Sequence, residues 1–335
     1  MIQREAEAEI RALAKQFKAV AIVGPRQSGK TTLVRHIFSD KPYANLENPD
    51  LRMYATDDPR GFLSNYPDGA VLDEVQRVPQ LFSYLQQILD EKSINGLFVL
   101  TGSNNFLLQE QISQSLAGRV GYLNLLPLAL SEINDYQSNS NQLMFKGGYP
   151  VLYNENTDPT KWYANYIRTY IERDVRMVKN ITDLITFERF LRLCAGRIGT
   201  LLNMSSLAVE TGVDVKTISA WISVLETSFV VFRLQPFHEN FNKRIVKMPK
   251  LYFYDTGLAI ALLGIENPGQ VELRPYRGHL FENMVIVDFL KKRYNAGKSN
   301  NLFFWRDNVG NEIDLLIESG TRPVPVEIKS GQTVT

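Results

Sequence analysis

The chain of 335 residues contains a single cysteine, Cys194. That excludes a disulfide within the chain and leaves no cysteine pair for a zinc site. Cys194 sits among apolar neighbours with no base beside it in sequence, so it reads as a small core residue. Histidine is nearly as scarce, with only His36, His238 and His279, which argues against a histidine-rich metal centre. An excess of one charge is missing too: 37 Lys and Arg balance 36 Asp and Glu, for a net charge of +1. The chain is no polycation, so any contact with nucleic acid has to come from a local patch. No apolar run reaches the ~20 residues of a membrane span. The first residues, MIQREAEAEIRALAKQF, form an amphipathic helical pattern without the apolar core of a secretory signal. These absences point to a cytoplasmic protein with no membrane partner.

The most informative stretch present is Gly24-Pro25-Arg26-Gln27-Ser28-Gly29-Lys30-Thr31. It fits G-x-x-x-x-G-K-[ST], the phosphate-binding loop of nucleoside triphosphatases. An apolar strand (KAVAIV, 18–23) precedes it, and Thr32 opens a helical run (TLVRHIF, 32–38). Strand, glycine loop and helix start are what the chemistry needs. Backbone N–H groups point at the phosphates, and the helix N-terminus favours their negative charge. Lys30 is placed to neutralise the β/γ oxygens and Thr31 to put its hydroxyl on Mg²⁺.

From Val20 to about Ser131 strand and helix patterns alternate, with strands expected at 19–23, 43–46, 70–73, 97–101 and 120–125. Such alternation predicts a parallel sheet with helices on both faces. The apolar strand Ala70-Val71-Leu72-Asp73-Glu74 ends in two carboxylates. In a P-loop enzyme Asp73 holds the Mg²⁺ shell and Glu74 orients and polarises the attacking water. The strand at 97–101 runs into Thr101, Ser103 and Asn104, which read either as γ-phosphate or water ligands or as a simple strand cap. Arg119 reads as an arginine given to a neighbouring subunit's γ-phosphate, or as a surface ion pair.

The runs GPRQSGKTTL (24–33), VLDEVQRVP (71–79), FVLTGSNN (98–105) and SLAGRVGYLNLLPLALSE (115–132) together resemble a large family of bacterial and archaeal AAA-type ATPases. In that family the ATPase domain precedes a domain of unknown function. The resemblance covers nearly the whole chain. It implies an AAA-like core in which Asn104 is similar to the sensor residue and Arg119 to the family's arginine. It also implies a homo-oligomer in which one subunit completes the next subunit's site.

The polar stretch Asp135–Gln142 reads as a linker, giving an AAA-like domain at 1–134. Residues 143–260 read as a helical and winged-helix region. There a short helix over 203–210, a turn at Gly212 and a helix from Val215 to Thr227 capped by Asp214 make a helix-turn-helix pattern. Ile218, Ile222 and Leu225 form the expected buried face. Lys216 and Thr217 are candidate DNA contacts, although one lysine is little for that task. Lys243, Arg244, Lys247 and Lys250 form a richer basic cluster, read either as a phosphate grip or as a solvated face.

Residues 270–335 read as a third domain. Its strands carry Asp314 and, after a turn, Glu327-Ile328-Lys329, with Glu282 on the helix before them. This resembles the PD-(D/E)xK nuclease fold. The resemblance implies Mg²⁺ on Asp314 and Glu327, water activation by Lys329 and support from Glu282. The plainer reading is a hairpin with a Glu327–Lys329 ion pair. The chain stops at Thr335, soon after a strand, and a domain of this kind is expected to continue. The fold expected overall is α/β, with ATP and Mg²⁺ as cofactors. The partner is DNA, or a protein bound by a C-terminal domain that cleaves nothing.

Overall fold

The computed structural model describes the chain apart from residues 1, 104–107, 109, 110, 113, 134–137, 156, 172–182, 239–247, 274, 308, 321 and 332–335. The described residues form two compact units, Met1–Pro127 with Lys292–Lys298, and Leu128–Lys291 with Ser299–Thr335.

The first unit is built on five parallel strands in the order β2-β3-β4-β1-β5. They are β1 (Ala19–Val23), β2 (Tyr43–Asn45), β3 (Val71–Asp73), β4 (Phe98–Gly102) and β5 (Val120–Asn124). Every residue of β1 and β4 is buried, as continuous apolar runs require when helices cover a parallel sheet. Helix α1 (Ala6–Gln16) sends Ala6 and Ile10 into a cluster with Val20, Ile22, Leu123 and Leu125. Helix α2 (Lys30–Ile37) adds Leu33, Val34 and Ile37. Burying one such aliphatic side chain is worth about 1.5–3 kcal/mol, so the loop between β1 and α2 hangs from two firmly packed elements. Parallel strands bring their C-terminal ends to one edge, and ligands of open α/β sheets bind there.

The second unit carries a mixed sheet in the order β10-β9-β8-β6-β7. Its strands are β6 (Val231–Pro236), β7 (Lys250–Phe253), β8 (Leu302–Arg306), β9 (Glu312–Ser319) and β10 (Arg322–Val326). β6 pairs antiparallel with β7 and parallel with β8, while β9 pairs antiparallel with both β8 and β10. Strands from the 143–260 and 270–335 regions therefore share one sheet. The helices Leu184–Ala195 and Val215–Thr227 pack Phe187, Phe190, Trp221 and Ile222 into the unit's core. Cys194 lies in that core, where burial pushes its thiol far above the ordinary range.

Two local expectations change. Residues 140–142 belong to a helix, Ser140–Lys146, rather than to a linker. The Asn139 side chain accepts a hydrogen bond from the Gln142 amide, and the Gln142 side-chain oxygen accepts one from the Asn139 N–H, a capping box that a polar run conceals. β10 ends at Val326, so Glu327 and Lys329 lie beyond it. Among the described residues no helix is long and apolar enough to cross a membrane.

Candidate functional site

β1 delivers the chain to Gly24, where any side chain is excluded: a Cβ there would lie 2.0 Å from the Leu125 carbonyl oxygen. Gly29 takes φ 92° at the N-cap of α2, a left-handed conformation that glycine adopts without strain. Lys30 follows as the first residue of α2, and its ammonium is buried. Nζ donates to the carbonyls of Gly24 (2.9 Å) and Pro25 (2.8 Å), so it lies folded against its own loop. Ser28 Oγ is fully buried and has no hydrogen-bond partner. Arg4, which the sequence does not single out, donates to the Ser28 carbonyl (2.8 Å) and the Leu126 carbonyl (2.8 Å) and ties the loop to the segment after β5. Arg26 pairs with Glu47 at 3.6 Å, and Gln27 and Thr32 are exposed.

The end of β3 faces this loop. Thr31 Oγ1 donates to Asp73 Oδ2 at 2.9 Å, and Tyr43 OH donates to the same oxygen at 2.6 Å. The Thr101 hydroxyl, from β4, donates to Asp73 Oδ1. Glu74, next in sequence, takes φ 56°, an uncommon and strained backbone for a residue with a side chain. Its Oε2 accepts from Ser103 Oγ at 2.9 Å and from Gln76 Nε2 at 2.5 Å. The structure thus brings Lys30, Thr31, Asp73, Glu74, Thr101 and Ser103 to one sheet edge. A hydroxyl and a carboxylate oxygen in direct contact are hard donors of the kind Mg²⁺ takes, and the fully buried, unpartnered Ser28 Oγ marks unmet hydrogen-bonding capacity inside the loop. The residues present fit a Mg-nucleotide.

Tyr43 has no motif of its own. Its signal lies in the strand register: Tyr43 pairs with Val71, and period two puts Asp73 on the same face one step along. Burial pushes the Tyr43 hydroxyl well above its ordinary value, and the hydrogen bond to Asp73 adds to the shift. The Arg35 guanidinium lies over its ring at 4.9 Å.

Arg119 is not brought to this edge. It precedes β5, and Val120 pairs with Ala19 at the start of β1. The five residues of β1 separate it from Gly24 by about 16 Å at ~3.3 Å per residue. Its guanidinium grips Asp90 through Nε (2.6 Å) and Nη2 (2.9 Å), which holds the Asp90 carboxyl below the usual range. Asn104 lies outside the described residues.

In the second unit Glu282 and Asp314 lie close to one another, with neighbours the sequence did not predict. Glu282, on the helix Arg277–Asn295, is buried. Its Oε1 accepts from Lys250 Nζ at 3.1 Å and from the Tyr252 hydroxyl. Lys250 is 4% exposed and also pairs with Glu312 Oε1 at 2.5 Å. It is therefore not part of an exposed basic cluster; Lys243, Arg244 and Lys247 lie outside the described residues. Asp314 Oδ2 accepts from the Ile328 amide at 2.9 Å, and its carboxyl is pushed up by burial and by Glu282 and Glu327 nearby. Lys329 Nζ pairs with Glu327 Oε1 at 2.5 Å, both side chains exposed. Among the described residues no three His, Cys, Asp or Glu converge to hold a metal ion.

Comparison with known proteins agrees with the geometry of the first unit. Residues 16–134 match the family model of an AAA domain. Residues 137–269 match a domain of unknown function (DUF8612) and residues 277–335 another (DUF4143). The uncharacterized protein Rv2008c of Mycobacterium tuberculosis (strain ATCC 25618 / H37Rv) is 32% identical over 336 residues, spanning 99% of this chain and 74% of that protein. The uncharacterized protein Mb2031c of Mycobacterium bovis matches to the same extent. Among solved structures, the Walker-type ATPase PABY2304 of Pyrococcus abyssi superposes with a TM-score of 0.54 at 15% identity, over 78% of this chain and 96% of that one. At that identity the likeness concerns the fold.

Proposed function

The chain belongs to the same family as the two mycobacterial proteins, with an AAA-type P-loop ATPase domain at residues 16–134, and we propose that it is a Mg²⁺-dependent ATPase that works as a switch. The observation that carries the reading is the 2.9 Å contact of Thr31 with Asp73 beside the buried Lys30 and the held Glu74. In this reading residues 24–32 wrap the triphosphate, and Lys30 leaves its loop carbonyls for the β/γ oxygens. Thr31 and Asp73 hold Mg²⁺, which when bound neutralises charge building on the γ-phosphate. Glu74 takes the proton of the attacking water, with Ser103 and Gln76 fixing its carboxylate. Asn104 is the sensor, and Arg119 leaves Asp90 to act on a neighbouring subunit in a homo-oligomer.

Steady-state ATP hydrolysis by the purified chain tests this. Lys30→Ala should lose nucleotide binding, and Glu74→Gln should bind ATP and not turn it over. Wild-type turnover by Glu74→Gln would remove the base from the mechanism.

The remaining residues are read as a winged-helix region at 143–260 and a nuclease-like domain at 270–335 that binds a protein partner without cleaving. DNA is a second reading, favoured by the order of elements. The helix Leu184–Ala195, the Leu201–Lys250 bridge, the helices Met204–Thr211 and Val215–Thr227, and the β6–β7 pair follow one another as a winged helix does. Turnover measured with duplex and single-stranded DNA at two salt concentrations separates the readings. Acceleration that salt abolishes means phosphate contacts coupled to the ATP site, and indifference to DNA favours the protein partner.

A further inference from the structure

Glu282, the carboxylate expected to support a metal in the second unit, holds a lysine. Lys250 is the first residue of β7 and Tyr252 follows two positions later, so strand alternation turns both to one face. Glu312 and Asp314 stand in the same relation on β9. Glu282 comes to them from the helix Arg277–Asn295. Lys250 Nζ lies 3.1 Å from Glu282 Oε1 and 2.5 Å from Glu312 Oε1. The face of the Phe304 ring, 5.5 Å from Nζ, closes another side. The Tyr252 hydroxyl donates to the same Glu282 oxygen, Arg306 lies 3.6 Å from Glu312 Oε2, and Asp314 Oδ2 is bound to the Ile328 amide.

A buried ammonium is costly unless it is paired, and buried carboxylates are costly unless they are neutralised. Here each meets the other's need. With a carboxylate oxygen on each of two sides, the Lys250 ammonium is paired in place. A divalent ion on Asp314 with Glu282 in support would have to displace or sit against that charge.

We infer that Lys250 is a built-in counter-ion on Glu282, the carboxylate that the nuclease-like reading gives to the support of Mg²⁺, so that this carboxylate cluster is closed to divalent cations while Lys250 is in place. The donor set does not fit the metal: the Glu282 oxygen it would need is already committed to an ammonium and a phenol. The cluster becomes a site for a hard divalent cation only when the lysine charge is removed. This inference is independent of ATP turnover.

The test is Mn²⁺ binding to the full chain without nucleotide, read by titration calorimetry and by electron paramagnetic resonance of the free ion. Wild type and Asp314→Asn should bind Mn²⁺ identically, because Asp314 holds none. Lys250→Met, which keeps most of the apolar stem and removes the charge, should gain about one Mn²⁺ per chain on the freed carboxylates. The gain should vanish in Lys250→Met combined with Asp314→Asn, and Lys250→Arg should not show it. A purely structural lysine would give no Asp314-dependent gain. An Asp314-dependent Mn²⁺ site in the wild type overturns the inference, and so does a folded Lys250→Met that gains nothing. If Lys250→Met does not fold, Lys250→Gln, which also removes the charge, takes its place with the same expected and overturning results.

Discussion

The Tyr43 hydroxyl donates a 2.6 Å hydrogen bond to Asp73 Oδ2, the oxygen that also accepts from Thr31. A carboxylate held by Tyr43, Thr31 and Thr101 has little freedom to leave the position in which it would meet a metal. Tyr43→Phe removes one donor and keeps the ring under Arg35. Stability should fall by about 1 kcal/mol, the worth of one hydrogen bond. The KM for Mg·ATP should rise several-fold, measured by coupled-enzyme kinetics over a Mg²⁺ series. An unchanged Mg²⁺ dependence would mean that Tyr43 supports only the sheet.

Ser103 and Gln76 both bond to Glu74 Oε2. Ser103→Ala should lower kcat about tenfold and leave KM alone, as loss of orientation in a proton-transfer step does. Single-turnover and steady-state rates together locate the effect. A rise in turnover would show instead that Ser103 restrains Glu74 from acting.

Gly24→Ala puts a Cβ 2.0 Å from the Leu125 carbonyl, which is backbone and can move only with β5. Overpacking of this kind costs about 1–3 kcal/mol, and nucleotide binding should be lost with the loop's shape. Gly196→Ala meets nothing nearer than 3.6 Å and should be close to neutral. Thermal unfolding and titration with a fluorescent ATP analogue measure both.

Acid should destabilise the second unit through Glu282. Burial raises its carboxyl, but His279, Lys250 and Tyr252 outweigh burial and hold it below the ordinary 4.5. Stability from a lowered carboxyl is present above its unfolded value and is lost as pH falls through the folded one. Asp314 works the other way. Its carboxyl is raised above 3.8, chiefly by burial, so protonation relieves the folded state first. Between roughly pH 5 and 3, Glu282→Gln should flatten the fall in Tm and Asp314→Asn should steepen it. A Glu282→Gln profile as steep as wild type would reject the assignment.

The loop from Gly24 to Thr31 was legible because its function is written in contiguous backbone: a strand, two glycines and a helix start suffice. Asp73 was legible for a similar reason, since an apolar strand ending in carboxylates is local. Its partners were not. Tyr43 and Thr101 reach it only through the parallel register of β2, β3 and β4. Arg4 was hidden in what looked like an ordinary charged helix start.

Lys250 shows the limit most clearly. In sequence it stands near Lys243, Arg244 and Lys247 and reads as one more exposed base. Its own strand and β9 with the helix bearing Glu282 decide otherwise. The P-loop, the alternation that makes a parallel sheet, and the helix cap at Asp214 are legible locally, because each depends on residues a few positions apart. Which carboxylates meet an ammonium, and that Arg119 stands at the far edge of its sheet, become visible only in the folded chain. Those outcomes are set by strand order and register between distant segments, which no local pattern encodes.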